Sequence, residues 1–111
     1  MASISNIFID QGADFTTTLT VNDSNGNALD LTNYTAAAQV RKTFLSSSAT
    51  SFTVAFVSPR TSGQITLSLT DVQTATFESG RFVYDVVITA ADGSKTRVVE
   101  GQVTVNPSVT R

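Results

Sequence analysis

Between Arg81 and Val105 the chain reads RFVYDVVITAADGSKTRVVEGQVTV, and in its first arm apolar side chains fall at every second position. Phe82, Tyr84, Val86 and Ile88 alternate with Arg81, Val83, Asp85 and Val87, the period of a strand that keeps one face in a core. Asp92-Gly93 follows, a pair that supplies the positive backbone angles of a tight hairpin turn. In the second arm Val98 and Val99 are consecutive before Gly101, Val103 and Val105 restore the alternation, which predicts a bulge or a strand covered on both faces. Pro107 ends the ladder.

The same period recurs at Phe15, Thr17, Leu19 and Val21, at Phe52, Val54 and Phe56, and at Ile65, Leu67 and Leu69, each run bounded by turn residues. A short strand over Asn6 to Ile9 and another over Thr35 to Thr43 complete the set. In the latter, Ala36, Ala38 and Val40 share one face, and such small side chains predict close contact between sheets. Asn22 to Asn27, Ser46 to Ser51, Ser58 to Gly63 and Ala90 to Ser94 carry the residues that turns demand. Leu31 to Tyr34 and Asp71 to Phe77 break the strand pattern, and Thr70 is placed to cap a single helical turn carrying Val72, Ala75 and Phe77. About seven short strands with one or two short helical turns predict an all-β fold, an antiparallel immunoglobulin-like β-sandwich. With 111 residues the chain has room for one core, so a single domain is expected over 1–111.

Composition changes the picture at the surface. Charged residues make up only 14% of the chain, where about 25% is usual, and the net charge is −2. Such a surface repels copies of itself weakly, so exposed strand edges are expected to be covered or to meet a partner. Seven basic residues face nine acidic ones with no cluster longer than Arg41-Lys42, which leaves no electrostatic footprint for nucleic acid. No apolar run approaches the ~20 residues that span a bilayer, and MASISNIFIDQG has neither the cationic start nor the long apolar run of a secretory signal. Neither nucleic acid nor membrane is expected as a partner, and synthesis in a cytoplasm is.

The chain contains no Cys and no His, so disulfides, thiolate metal sites and the usual nucleophiles and bases are missing. Asp85 and Glu100 are expected as solvent-facing charges on neighbouring strands, paired with Arg81 or Arg97. A pocket gathering both carboxylates and a basic residue on one face would instead be the mark of an enzyme. Asp23, Asn25, Asn27 and Asp30 place oxygen ligands near one another, but a calcium loop of the EF-hand type wants Gly at its sixth position and Glu at its twelfth, where Gly26 is fourth and Tyr34 twelfth. Asn25-Gly26 therefore predicts a plain turn. Tyr34, a conceivable platform for a sugar, is expected in a core or sheet-end role. No cofactor is expected.

Taken in order, Asp14-Phe15 before a strand, the run Asp23 to Thr32 (DSNGNALDLT), Tyr34, and a strand ending in Arg41-Lys42 resemble the opening of small immunoglobulin-like virion proteins of tailed bacteriophages. Gly80 to Val86 (GRFVYDV), Asp92-Gly93, Arg97, Glu100-Gly101, Val103 to Val105 and Val109 to Arg111 resemble the same proteins and the N-terminal domain of phage upper baseplate proteins. Essentially the whole chain is covered. The resemblance implies a non-enzymatic structural protein of the virion that docks on baseplate or tail components, or decorates the capsid, and that partners other virion proteins or further copies of itself. A carbohydrate-binding or host-surface module is the alternative from another class. Candidate docking residues are Ile4, Ile7, Phe8 and Ile9 of an N-terminal edge strand able to add to a neighbour's sheet, Ser46, Ser47 and Ser48 of a polar loop, and Pro59 and Arg60 of another. A turn without metal predicts that millimolar calcium leaves the melting temperature unchanged in a thermal scan; a rise would establish a site.

Overall fold

Alternation becomes two layered sheets in the computed structural model, which describes residues 3–22, 25–43, 45–47 and 49–109. Among the described residues nine strand segments run in chain order: β1 (Ser3–Ile4), β2 (Ile7–Asp10), β3 (Phe15–Thr20), β4 (Thr35–Arg41), β5 (Thr50–Ser51), β6 (Thr53–Phe56), β7 (Gln64–Leu69), β8 (Gly80–Thr89) and β9 (Lys95–Asn106). One sheet has the order β1–β9–β8–β4–β5 with β2 also on β9, and the other the order β3–β7–β6. This is an immunoglobulin-like β-sandwich. The excess over seven strands comes from an N-terminal strand broken at Ser5-Asn6 and from the two-residue β5.

The inner faces are those the alternation predicts. Phe82, Tyr84, Val86 and Ile88 of β8 are buried, and they meet Ile65, Leu67 and Leu69 of β7 in one core with Val40, Val103 and Val105. Phe52 joins the two sheets, its ring 6.2 Å from that of Phe15 and 6.1 Å, edge-on, from that of Tyr84. Ala38 is buried on β4 beside Val40, and its carbonyl accepts from the Phe52 N–H as the chain steps from β5 to β6. Opposite Val86 and Val87 the ladder of β9 gains one residue: Val86 pairs Val99 and Val87 pairs Arg97. Val98 is the extra residue of that bulge, which explains why two consecutive valines are both buried.

Several expectations are corrected. The strand pairs are antiparallel as predicted, except that the first segments, β1 and β2, pair in parallel with β9. Asp92-Gly93 does not form a two-residue turn. Only Gly93 has a positive φ, 92°, and its N–H bonds the Ala90 carbonyl while the Ala90 N–H bonds that of Ser94. The loop is thus three residues long, with the glycine at its left-handed position. The Asp92 carboxylate, accepting from the Ser94 N–H, is held below the ordinary carboxylate range by that bond. Asn25-Gly26 does turn the chain, closed by a bridge between Asn22 and Ala28, but β3 goes on to pair β7 and the following segment crosses to the other sheet.

The helical turn is where Thr70 predicts it. α1 (Asp71–Ala75) begins with a capping box in which the Thr70 hydroxyl accepts from the Gln73 N–H and the Gln73 side chain accepts from the Thr70 N–H. Its inward residues differ from the expectation: Val72 and Ala75 are exposed, while Thr74 is fully buried beside Phe77. The reason is polar. The Thr74 hydroxyl donates to the Ala13 carbonyl at 2.8 Å and accepts from the Gly12 N–H at 3.1 Å, and Gln11 donates to the Phe77 carbonyl, so α1 satisfies the turn between β2 and β3. Replacing Ile88, 2% exposed, by Ala is expected to cost about 2–5 kcal/mol in a urea titration; an unchanged midpoint would mean that β8 faces the other way.

Candidate protein–protein interface

The N-terminal edge is built around one close approach. A Cβ added at Gly101 would lie 2.1 Å from the Ser5 carbonyl oxygen, so only glycine lets β1 and β2 cross β9 at that point. The strand is interrupted at Ser5-Asn6, and three polar groups there find partners on β8 and β9. The Ser5 N–H donates to the Glu100 carbonyl at 2.9 Å, the Asn6 side-chain oxygen accepts from the Gln102 N–H at 3.0 Å, and the Tyr84 hydroxyl donates to the Ser5 carbonyl. Burial holds the Tyr84 phenol above its ordinary pKa.

That anchoring decides which N-terminal side chains are available. Ile7 is 6% exposed and Ile9 not at all, so both belong to the core and not to a docking face, contrary to expectation. The strand's parallel register on β9, Ile7 opposite Val103 and Ile9 opposite Val105, turns them inward with those valines. Ile4 and Phe8 point the other way and remain 77% and 66% exposed. Both sit on the rim of the sheet, where β1 and β2 have β9 on one side and, among the described residues, no strand on the other.

The remaining candidates are scattered. Ser46 is half-buried and its carbonyl accepts from the Arg41 guanidinium at 2.6 Å; Ser47 is exposed; Ser48 lies outside the described residues. Pro59 is exposed beside a 3₁₀ turn over Arg60–Ser62. Arg60, expected to reach a partner, is occupied within the fold. Its guanidinium lies 4.1 Å from the centre of the Phe56 ring and donates to the Tyr34 carbonyl at 2.9 Å, while its own carbonyl accepts from the Leu31 N–H. Arg60 thereby clamps the crossover between the sheets, and Tyr34 packs against the core as expected.

Asp85 and Glu100 are direct cross-strand partners on β8 and β9. Arg97 bridges them, at 3.4 Å from the Asp85 carboxylate and 3.0 Å from that of Glu100; Arg81 is not the partner. With Gln39 and Arg41 alongside, Asp85 and Arg97 border a shallow depression of about 280 Å³ on the outer face of the larger sheet. Two carboxylates and a cation are therefore gathered, but all three side chains are a third or more exposed. Open to water, the arrangement offers charge neutralisation across a strand pair, not the enclosed setting in which acid and base catalysis gains its force. No group of three or more acidic residues able to hold a metal occurs among the described residues.

No family model matches the chain, and no curated protein matches it. Among solved structures it is similar to the SrpA adhesin of Streptococcus sanguinis, at 11% identity and a TM-score of 0.52 over 92% of this chain. It spans 55% of that adhesin chain. The filamin domain of Lin-41 aligns over 89% of this chain and 82% of its own, at 15% identity and a TM-score of 0.47. At 11% identity the likeness to the adhesin is one of fold alone. Removing the Tyr84 hydroxyl as Tyr84→Phe takes a donor from the half-buried Ser5 carbonyl and is expected to cost about 1 kcal/mol at neutral pH. Because the phenol's pKa is raised on folding, the unfolded chain loses its proton first as pH climbs past about 10, and stability falls there. Denaturant titrations at neutral and high pH should show that alkaline loss reduced in the variant.

Proposed function

We propose that this chain is a non-enzymatic structural protein of tailed-bacteriophage virions that docks on baseplate or tail components through the rim formed by β1 and β2. The observation that carries the docking reading is the pairing of an unflanked strand edge with two exposed apolar side chains, Ile4 and Phe8, on a surface otherwise poor in charge. Backbone groups along such a rim can extend a neighbour's sheet, and the two side chains supply apolar area that prefers to leave water. The virion setting rests on the sequence resemblance in Asp14 to Lys42 and Gly80 to Arg111. A contact smaller than the ~800 Å² per partner of a stable complex suffices when the particle's symmetry repeats it.

The test uses phage particles assembled with the wild-type chain and with Ile4→Asp/Phe8→Asp. Mass spectrometry should find the wild type in purified particles in few copies relative to the major capsid protein. The double variant, with an unchanged melting temperature, should be depleted at least tenfold. Absence of the wild type from particles, or undiminished incorporation of the variant, contradicts the proposal; a copy number near that of the capsid protein moves the chain from tail to capsid decoration.

A further inference from the structure

The smaller sheet ends in an edge of a different kind. β3 pairs β7 at all six positions from Phe15 to Thr20 without a bulge, and on its other side no strand lies among the described residues. Two of its three inward-facing side chains register the gap, Leu19 being buried. Phe15 and Thr17 are only half-buried, whereas Ile65, Leu67 and Leu69, which face the same way on the central β7, are at most 3% exposed. The other edges are short, broken or partly covered: β5 has two residues and pairs Gln39 and Val40 of β4, β6 has four, and β1 and β2 are separated by the kink at Ser5-Asn6. β3 has none of the devices that keep an edge from pairing, neither a charged residue, a proline nor a bulge.

We propose that β3 is a self-association edge, on which a second copy of this chain pairs through its own β3. The two strands would run antiparallel about a two-fold axis perpendicular to the sheet, joining two three-stranded sheets into one of six strands. Symmetry is what selects a second copy over another partner. Thr16, Thr18 and Thr20 share the outer face of β3 and carry no charge, and the depression that Thr16 borders runs with Ser68 and Thr53 across β7 towards β6, away from the free edge. An axis through Thr18 instead sets Thr18 against Thr18 of the second copy and Thr16 against Thr20 of the second copy, so that every outer pair is threonine on threonine and no like charges meet. The fold already holds such a pair: Thr18 and Thr66 are cross-strand partners on β3 and β7, their hydroxyl oxygens 3.3 Å apart. On the inner face the added strand would cover Phe15 and Thr17.

Six paired residues a side make a contact well below the ~800 Å² per partner of a stable dimer, so the expected dissociation constant is on the order of 0.1–1 mM. This edge belongs to the sheet that does not carry Ile4 and Phe8, and variants at those residues leave it intact. Failure of one proposal is thus distinguishable from failure of the other.

Sedimentation equilibrium over a concentration series reaching about 1 mM tests it. The wild type should show concentration-dependent dimerisation. Thr18→Lys and Thr18→Glu change an exposed side chain and should keep the wild-type melting temperature, yet each should weaken self-association at least tenfold by setting like charges face to face. An equimolar mixture of the two should associate again, because unlike charges then oppose each other. A wild type that stays monomeric throughout, a lysine variant that dimerises as the wild type does, or a mixture that fails to recover association overturns the proposal.

Discussion

A strand at the rim of a sheet leaves part of its N–H and C=O groups without protein partners, and a chain with 14% charged residues has little repulsion with which to guard them. This constraint organises the molecule. Where the edges are short, as at β5, or where an inward aromatic is covered by a neighbour, as Phe56 is by Arg60, little is left to expose. The N-terminal rim and β3 are handled differently. The first is kinked, anchored and left with two apolar side chains in water; the second is straight, uncharged and open.

Anchoring of the N-terminal rim depends on three residues distant in sequence. Gly101 makes the space, Ser5 brings a carbonyl into it, and the Tyr84 hydroxyl satisfies that carbonyl. Because Ile7 and Ile9 are then held in the core, Ile4 and Phe8 are presented on a rigid strand and not on a loose terminus. A strand already ordered in the fold loses less backbone freedom on binding, which makes a small contact more effective than its area suggests.

Strand faces were legible because a period of two is a local property. Phe82, Tyr84, Val86 and Ile88 on β8, the doubled valine of the β9 bulge and the Thr70 cap of α1 all follow from neighbours in sequence. Partner and direction are not local. Nothing in IFID says that β2 runs parallel to β9, and so Ile7 and Ile9, apolar and near a terminus, look like docking residues until their register with Val103 and Val105 turns them inward. Arg60 misleads for the same reason, since its partners Leu31 and Tyr34 lie 29 and 26 residues away. The ion bridge of Arg97 was half visible: the sequence names the charges, but only the pairing of β8 with β9 sets Asp85 opposite Glu100. Exposure of Phe8 follows from alternation with its neighbours once Ile7 and Ile9 are known to face the core.

The central claim is that this fold acts by adhesion at its edges. Residue-resolved amide hydrogen exchange, compared between the free protein and its assembled form, tests it most directly. Amides of β1, β2 and β3 that point away from β9 and β7 should exchange quickly in the free protein and slow strongly on assembly, while the doubly paired amides of β8 change little. Edge amides that exchange equally fast in both states, with protection arising instead around the Asp85, Arg97 and Glu100 face, would contradict the account.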